Sequence, residues 1–452
     1  MIRYSHQILT NSHSIFKAQL AIAYSTAFAI TKKDKYKEVV DDIMLYVSRD
    51  MTHTSGGFYA AEDADSYPKG QSDHKKEGAF CVWNWEETRQ LLDIPVEGMG
   101  ETTLADVVCH EYNMKEGGNV NPRGDPHGEL KNQNVLTKLP IRPPLFDDVE
   151  KYKSGLLQAK EIMFQERLTR PRPGLDSKIL CSWNALMISA YCRAGSMLNN
   201  SEYIDVANKA GSFIRDVLWS TDKKILLRSI YGADKELKQI ENPIEGFIDD
   251  YCFTVQAFLD LYQATLNEEW LSLAVTVQSS QDALFLDHEK GGYFASKEGD
   301  PEIVLRLKDD QDGAEPSSNS VAAINMFRLG KILNQLKYTL EGEKIIKLFN
   351  ERLKQIPHAM PALVEALLFH LQDKPIIVIT GEQSSDNAIE NFIKSSHLPS
   401  FTVIGSGDLT KSAHPALSSV DCTQPGAYIL KNGELSGLIT SNDQMKSMLK
   451  KN

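Results

Sequence analysis

Cysteine is scarce in this chain of 452 residues, which contains six, and no two of them have Cys-x-x-Cys spacing. So few thiols cannot form the dense disulfide framework of a small secreted domain. None of them has a histidine at zinc-ligand spacing, so the sequence predicts neither a zinc site nor a thiol–disulfide active site. Several fall on apolar helix faces, as small buried thiols do, which favours a reducing compartment. We therefore expect a cytoplasmic location.

Long apolar runs and basic runs are missing as well. The apolar stretch at residues 20–30 is broken by Tyr24, Ser25 and Thr26 and is too short to span a bilayer. The first residues show no secretory signal pattern. The formal net charge is −12, without a Lys/Arg-rich run, so neither a nucleic acid nor a membrane is an expected partner. No phosphate-binding loop or Ser-His-Asp spacing is found, and we predict no cofactor and no metal.

Amphipathic helices dominate what is present. Apolar side chains recur every three or four residues, as in the run of Tyr251, Val255, Phe258 and Tyr262. The long helices that this spacing predicts cover residues 12–31, 34–51, 146–169, 182–196, 201–219, 245–266, 268–285, 318–334, 338–355 and 358–371. Between the second and third of these lies a long irregular segment, and such segments are usually functional or poorly ordered.

Two features recur along the chain. A Gly-Gly-aromatic-aromatic run follows a helix and precedes an acidic loop twice, at residues 56–59 and 291–294. Asn184, Asp250 and Asn319 each lie near the first turn of a long helix, spaced by 66 residues (184 to 250) and 69 residues (250 to 319). Helical hairpins repeated at this interval predict a mainly α fold of the (α/α)6 toroid type, in which neighbouring hairpins bury each other's apolar faces.

The pattern changes at about residue 373. Apolar runs at 375–380 and 401–404 are typical of buried strands, and shorter ones follow. Helices are expected at 387–395 and 442–450, with further strands at 427–430 and 438–439. The last 80 residues or so therefore predict a small α/β region.

Four loop clusters combine acids with aromatic residues. They cover residues 56–83, 176–184, 245–251 and 306–320. Because the inner helices of a toroid start at one end, we expect the clusters to converge there. Aromatic rings stack on sugar faces and carboxylates bind hydroxyls, so the clusters predict a carbohydrate-like small-molecule ligand. Glycoside hydrolysis would need two carboxylates, about 5–10 Å apart, one to donate a proton and one to activate water or attack carbon.

The candidate residues divide into two groups. The candidate catalytic acids are Asp63, Asp65, Asp250, Asp312 and Glu315. The candidate ligand-binding residues are Tyr59, Glu62, Trp83, Lys178, Trp183, Asn184, Asp249, Tyr251, Arg306, Lys308, Asp309 and Asn319.

Other interpretations of these residues stay open. Acids at helix starts also cap helices, each with about 1 kcal/mol, and the lysines and Arg306 could pair with nearby acids. Catalysis, ligand binding without catalysis and a purely structural role are therefore three alternatives. Sugar 2-epimerases on this architecture use histidines as acid and base, for which His53 and His288 lie near the two Gly-Gly runs.

These motifs resemble those of a known family. The segments SGGFYAAEDADS, EGAFCVW, LDSKILCSWNAL and LRLKDDQDGAEPSSNSV are similar to the spermatogenesis-associated, YyaL-type family of thioredoxin-domain-containing proteins, and lie at 55–66, 77–83, 175–186 and 305–321. The resemblance runs from about Phe16 to the C-terminus. It implies a thioredoxin-like domain, a six-hairpin toroid similar to glycosidases and N-acylglucosamine 2-epimerases, a small α/β region and a fertility-related role.

The sequence departs from the family plan at its start. It lacks the thioredoxin-like domain with its cysteine motif, and also the first hairpin. We therefore predict an unmatched segment at residues 1–15, a toroid with five of six hairpins at 16–372, and a small α/β domain at 373–452. Redox activity is not expected. A non-catalytic scaffold or a truncated, inactive isoform remains the alternative to an enzyme, and the oligomeric state is left open.

Overall fold

The computed structural model describes residues 13–121, 123, 125, 128–139, 142–233, 235–299, 303–372, 374–381, 391–393, 401–421 and 423–451. It divides into two compact units. The smaller unit comprises His13 and the described part of residues 61–176, and the larger unit comprises 14–60 and the described part of 177–452. Within the described ranges, no helix has both the length and the apolar content needed to cross a bilayer.

The described helices are α1 (Ser14–Thr31), α2 (Asp34–Asp50), α3 (Trp85–Leu91), α4 (Leu104–Glu111), α5 (Val149–Arg167), α6 (Cys181–Leu198), α7 (Ser201–Phe213), α8 (Ile248–Thr265), α9 (Glu268–Phe285), α10 (Ser318–Ile332), α11 (Leu336–Leu348), α12 (Asn350–Gln355), α13 (Pro361–Leu371), α14 (Asp408–Ala413) and α15 (Asn442–Lys451). The described strands are β1 (Ala61–Glu62), β2 (Asp65–Ser66), β3 (Lys76–Glu77), β4 (Trp83–Asn84), β5 (Gln133–Asn134), β6 (Leu175–Asp176), β7 (Lys178–Leu180), β8 (Trp219–Ser220), β9 (Ile225–Leu226), β10 (Ser229–Ala233), β11 (Glu236–Lys238), β12 (Ile376–Thr380), β13 (Thr402–Ile404), β14 (Gly426–Lys431) and β15 (Glu434–Leu435).

Helical hairpins build the larger unit. The inner helices α1, α6, α8, α10 and α13 pack side by side in chain order, and α2, α7, α9 and α11 each pack on the helix before them. Two or three residues join each pair, so the two helices of a hairpin run antiparallel. The inner helices therefore all begin at one end of the unit. This arrangement confirms the mainly α, toroid-type fold that the repeat predicts.

Burial distinguishes the two layers of helices. In α8, almost every residue from Ile248 to Tyr262 is buried, including Asp250 and Asp260. The outer helix α2 buries only a stripe of Val40, Met44 and Val47. A helix that is buried on all sides belongs to the interior of a domain, whereas a single apolar stripe is typical of a surface helix.

The hairpin turns share a left-handed residue. Lys32, Asn199, Leu266 and Asn334 follow the first helix of their hairpins with φ values of 53°, 54°, 56° and 51°. Asparagine tolerates this conformation, but leucine rarely adopts it. Leu266 is buried in a core cluster with Ile377 and Ile429, so apolar packing stabilises a backbone conformation that leucine alone disfavours.

A four-stranded sheet follows the last inner helix. Its order is β13-β12-β14-β15, with β12 and β13 parallel and the other pairs antiparallel. Every residue of β12 is buried. These strands and α15 confirm the predicted α/β character, while most of the helix predicted at 387–395 lies outside the described residues. The boundary of a separate domain at residue 373 stays a prediction.

The smaller unit has its own apolar core. Trp83, Leu104, Tyr152 and Met163 belong to this core, in which α4 packs against α5. Strands β1 and β6 pair at the two ends of the segment, Ala61 with Asp176. The helix predicted at 146–169 is α5, so it belongs to this unit and does not contribute to the hairpins. The larger unit has four complete hairpins and a fifth inner helix among its described residues.

Candidate functional site

The same contact occurs twice in the larger unit, each time between a Gly-Gly run and one of the repeated helix starts. At the start of α6, Asn184 Oδ1 accepts the Phe58 N–H (2.6 Å), and Asn184 Nδ2 donates to Phe58 O (2.9 Å). At the start of α10, Asn319 Oδ1 accepts the Tyr293 N–H (2.8 Å) and Nδ2 donates to Tyr293 O (3.0 Å). Each amide thus holds the residue that follows a Gly-Gly pair.

Both amides are committed to the backbone. Nδ2 of Asn184 also donates to Leu180 O (2.8 Å), and that of Asn319 donates to Asp309 O (2.9 Å). Each side chain is 1% exposed. The structure therefore gives Asn184 and Asn319 a bracing role, and their predicted contact with a ligand stays a prediction.

A carboxylate occupies the corresponding position at the start of α8. Asp250 is fully buried and accepts three hydrogen bonds: from Ser182 N–H (3.0 Å), Phe247 N–H (2.9 Å) and Arg228 Nη1 (3.0 Å). Because Phe247 precedes α8 and Ser182 lies in the first turn of α6, this side chain joins two neighbouring helix starts. It performs the capping role that the structural alternative predicted, and it also binds a cation.

Arg228 bridges two adjacent carboxylates. Its Nη1 lies 3.1 Å from Oδ2 of Asp249 and 3.0 Å from Oδ2 of Asp250. Its guanidinium also lies over the Phe247 ring, 5.0 Å from the centroid. Asp249 is partly exposed, with 18% of its side chain accessible, whereas Asp250 has none. Asp249 is thus the member of the pair that a solute can reach.

Glu315 completes what we call the acid cluster, Asp249, Asp250, Glu315 and Arg228. Burial, followed by the negative charge of Asp249, raises the pKa of Glu315 to about 7, although Arg228 acts in the opposite direction. Burial and the charge of Asp249 likewise raise the pKa of Asp250 above its ordinary value. Oε2 of Glu315 is buried and has no hydrogen-bond partner among the described residues. The cluster therefore contains a carboxyl group that holds a proton near neutral pH.

The other predicted acid of this segment is engaged by the backbone. Asp312 Oδ1 accepts from Ser317 N–H (2.8 Å) and Oδ2 accepts from Ala362 N–H (2.7 Å). These bonds connect the segment before α10 with the first turn of α13. Asp309 is exposed. The two acids therefore differ in role: the carboxylate of Asp312 braces the backbone, whereas Oε2 of Glu315 has no such contact among the described residues.

The two cations of this segment have structural partners. Lys308 Nζ donates to Asp287 Oδ2 (2.7 Å) and Gly291 O (2.5 Å), and Arg306 Nε donates to Ser296 O (2.9 Å). The hydrogen bond from Lys308 and those from nearby backbone N–H groups lower the pKa of Asp287 to about 2. The contact of Lys308 with Asp287 matches the ion-pairing alternative, whereas the contact of Arg306 is with a backbone carbonyl group.

The predicted residues of the first cluster lie mostly in the smaller unit. There, Asp63 accepts the Asp65 N–H (3.2 Å) and pairs with Lys75 (3.2 Å), which together lower the pKa of Asp63. Glu62 pairs with Arg172 (3.4 Å). Trp83 is 1% exposed, so its ring is not available for stacking on a ligand. The convergence of Asp63 and Asp65 with acids of the larger unit stays a prediction.

The remaining candidates lie in the larger unit. Tyr251 is fully buried, and its hydroxyl accepts the Leu226 N–H (2.9 Å). Tyr59 is 8% exposed and packs edge-on against His53, which is 1% exposed. Trp183 and Lys178 are half-buried. Tyr251 and Tyr59 are thus mainly packing residues, and the burial of His53 closes it to a substrate.

Sequence reasoning missed Arg228 and Phe247. Arg228 is a single cation inside the apolar run from Ile225 to Ile230, and such an isolated charge in a strand-like segment needs a partner. Its hydrogen-bonded neighbours were not deducible, because they depend on the pairing of Leu227 with Glu245. Phe247 is 38% exposed and borders the acid cluster.

Cys109, Cys181, Cys192 and Cys252 are buried thiols that form no disulfide bonds. Burial raises the pKa of Cys109 to about 11, and it raises the pKa values of Cys181, Cys192 and Cys252 well above the ordinary value. Such thiols stay protonated and are weak nucleophiles.

The chain matches no family model, but it is similar to several curated proteins. It is 38% identical to spermatogenesis-associated protein 20 of Homo sapiens, in a match that covers 96% of this chain. The protein of the same name from Rattus norvegicus is 36% identical over the same share. The chain is a homologue of spermatogenesis-associated protein 20. An uncharacterised protein of Caenorhabditis elegans is also 36% identical, over 92% of this chain.

The homology covers part of each relative. The chain spans 57% of the length of the human and rat proteins and 58% of the nematode protein. Among solved structures, cellobiose 2-epimerase from Bacillus thermoamylovorans is 10% identical with a TM-score of 0.42, covering 76% of this chain and 61% of its own. A D-mannose isomerase is 10% identical with a TM-score of 0.40, covering 75% and 59%. Similarity at this level does not identify a ligand.

Proposed function

We propose that the acid cluster binds a carbohydrate-like molecule and that Glu315 donates a proton to one of its oxygen atoms. The observation that carries this proposal is the environment of Glu315, whose buried Oε2 lacks a hydrogen-bond partner among the described residues and whose pKa is raised to about 7. A carboxyl group used only as a helix cap or an ion-pair partner would have its oxygen atoms engaged, as those of Asp312 are.

Glu315 has the properties of a general acid. A catalytic acid is most effective when its pKa lies near the working pH, because it is then protonated before the reaction and can still release its proton. Enzymes commonly raise the pKa of one carboxyl group by burial while a neighbouring carboxylate stays charged. Glu315, which is partly buried beside Asp249, has the raised pKa of such an acid.

Asp249 is suited to be the basic partner. It is bound by Arg228 through one nitrogen atom and keeps part of its side chain exposed. In a hydrolase it would activate water or attack carbon, and in an isomerase it would remove a proton from carbon. Asp250 is a positioning residue, because its hydrogen bonds fix Arg228 and the start of α8 next to Asp249.

Phe247 provides an aromatic surface at the same place. Its ring is partly exposed and lies beneath the Arg228 guanidinium. Aromatic rings supply large apolar contact area in ligand sites, where a few polar groups fix the orientation of the ligand. A pyranose ring that packs on Phe247 would place its hydroxyl groups near Arg228 and Asp249.

A panel of aryl glycosides and free reducing sugars tests the proposal. We expect turnover of at least one compound by the wild-type chain and a loss of about 100-fold or more in kcat/KM for Glu315→Gln and Asp249→Asn, in the range of general acid–base contributions. Asp309→Asn is the matched control, since it removes an exposed acid from the same segment and should retain activity. Binding of a sugar without turnover in any chain would contradict catalysis and leave a binding site.

A non-catalytic scaffold is the second candidate. It is supported by Asn184, Asn319 and Asp312, whose polar side-chain atoms are all engaged by the backbone. It predicts that no sugar raises the thermal midpoint of the wild-type chain. A role in spermatogenesis is a further proposal, which rests on the name of the relatives alone, and normal fertility after loss of the gene in the source organism would contradict it.

A further inference from the structure

The loop between Asp312 and Ser317 carries Glu315 and precedes α10. Its two ends are joined, because Asp312 Oδ1 accepts the Ser317 N–H (2.8 Å). Near its second end, Pro316 disfavours helical backbone conformations at Glu315. Near its first end, Gly313 can adopt a wide range of backbone conformations. The Gly313 side of the loop therefore needs a further contact to become fixed.

A side chain of the first inner helix supplies that contact. Gln19 is half-buried in α1, and its Nε2 donates to Ala314 O (2.6 Å), although the two residues are 295 positions apart. The same Nε2 also donates to Ile15 O (3.3 Å), one turn earlier in α1. Among the described residues, no other hydrogen bond joins residues 313–316 to a part of the chain outside the loop.

The Ala314 carbonyl group lies at the exposed tip of the loop. Gly313 and Ala314 are exposed, whereas Oε2 of Glu315 is buried. Exposed segments with few contacts open locally at a low cost in free energy, and an open loop would carry the Glu315 carboxyl group into water. The hydrogen bond from Gln19 opposes this opening, because opening would break it.

We propose that Gln19 is a positioning residue of the acid cluster, which keeps the Glu315 carboxyl group beside Asp249 by fixing the carbonyl group of Ala314. The inference rests on the proposed function, in which Glu315 is the proton donor. No residue of α1 is among the predicted site residues, so the inference adds the first hairpin to the elements that build the site. Gln19 acts through the backbone of the loop and needs no contact with the ligand.

Titration of Glu315 by carboxyl NMR in the variant Gln19→Met tests this inference. Methionine is similar to glutamine in length and is equally suited to a helix, but it cannot donate to Ala314 O. We expect the pKa of Glu315 to fall by about 1 or more, because a carboxyl group that gains access to water loses part of the desolvation that raises its pKa. The charged groups that act on Glu315, Asp249 and Arg228, are the same in both chains.

A matched control lies in the smaller unit. Gln165 also donates a hydrogen bond from a helix, with its Nε2 2.8 Å from Glu161 Oε1. Gln165→Met makes the same chemical change away from the loop, and we expect Glu315 to keep its pKa. A fall of equal size in this control would overturn the inference. Gln19→Ala, which also lacks the donor and adds no bulk, takes the place of Gln19→Met if that variant does not fold.

The wild-type titration separates this inference from the function on which it rests. A pKa of Glu315 near 7 in the wild type and a lower one in Gln19→Met support both. A pKa near 7 in both chains would overturn the role of Gln19 and leave the proposed function in place. A pKa near the ordinary 4.5 in the wild type would overturn the two together.

Discussion

The starts of α6 and α10 differ from the start of α8 in the side chain that each places against the preceding loop. Asn184 and Asn319 offer both a donor and an acceptor, so each can satisfy the N–H and the C=O of a single residue. Asp250 offers only acceptors and therefore gathers donors, among them Arg228. A one-atom difference between amide and carboxylate thus separates a neutral brace from a charged cluster.

The difference has a consequence for function. At the two amide positions all hydrogen-bonding groups face the backbone, and nothing is left for a solute. At the carboxylate position the recruited Arg228 also binds Asp249, and the charge of Asp249 helps to raise the pKa of the nearby Glu315. The candidate site therefore lies at the helix start where a carboxylate replaces the neutral amide of the other two repeats.

Exchanging the amide for a carboxylate at Asn184 or Asn319 should have the largest effect on stability. In Asn319→Asp, a carboxylate oxygen would face Tyr293 O and Asp309 O in a buried position, and the same conflict would arise for Asn184→Asp with Phe58 O and Leu180 O. We expect each change to lower the free energy of unfolding by about 3–4 kcal/mol at pH 7, as measured by urea denaturation.

A matched control exists on α9. Asn267 caps this helix with Oδ1 as an acceptor for Glu269 N–H (3.0 Å). Asn267→Asp keeps that acceptor, so the change in the free energy of unfolding should be below about 0.5 kcal/mol. Equal losses for all three variants would mean that the amide positions are not special.

Removing the cation should have the next largest effect. Arg228→Met leaves Asp249 and the buried Asp250 without their positive partner, and we expect a loss of about 2–3 kcal/mol at pH 8. Because Arg228 lowers the pKa values of Asp250 and Glu315, its removal raises them further. Both acids are protonated at pH 5, so the loss should shrink there. A loss that does not change between pH 5 and pH 8 would contradict a charged cluster.

Neutralising Glu315 should have a smaller effect of the opposite sign. The pKa of Glu315 rises from its ordinary 4.5 to about 7 in the folded chain, so the stability that this group contributes below pH 4.5 is lost as the pH rises to 7. Glu315→Gln avoids that loss. We expect it to be more stable than the wild type by about 1–2 kcal/mol at pH 8, reduced by partial exposure of the carboxyl group, with little of this gain at pH 4.5.

The same denaturation experiment on Asp309→Asn supplies the control. The side chain of Asp309 is exposed, and we expect its neutralisation to change the free energy of unfolding by less than about 0.5 kcal/mol. A gain as large as that of Glu315→Gln would indicate that general charge repulsion, rather than the environment of Glu315, explains the result.

The sequence was sufficient for the helices, but not for the contacts of the candidate site. Apolar periodicity predicted α8 and α10, and their spacing predicted the toroid. The Gly-Gly runs and the asparagines could each be recognised in the sequence. The hydrogen bond between Phe58 and Asn184 could not be predicted, because it joins residues that are 126 positions apart. The pairing of Leu227 with Glu245, which brings Arg228 close to Asp249, also joins residues that are not neighbours in the sequence. Local pattern cannot supply such pairings.

The protonation of Glu315 is the central claim, and carboxyl NMR of the chain with labelled glutamate measures it directly. Assignment by Glu315→Gln should reveal one resonance that titrates with a pKa near 7, and Asp249→Asn should lower this pKa because it removes a neighbouring negative charge. A Glu315 resonance that titrates near 4.5 in both chains would contradict the account.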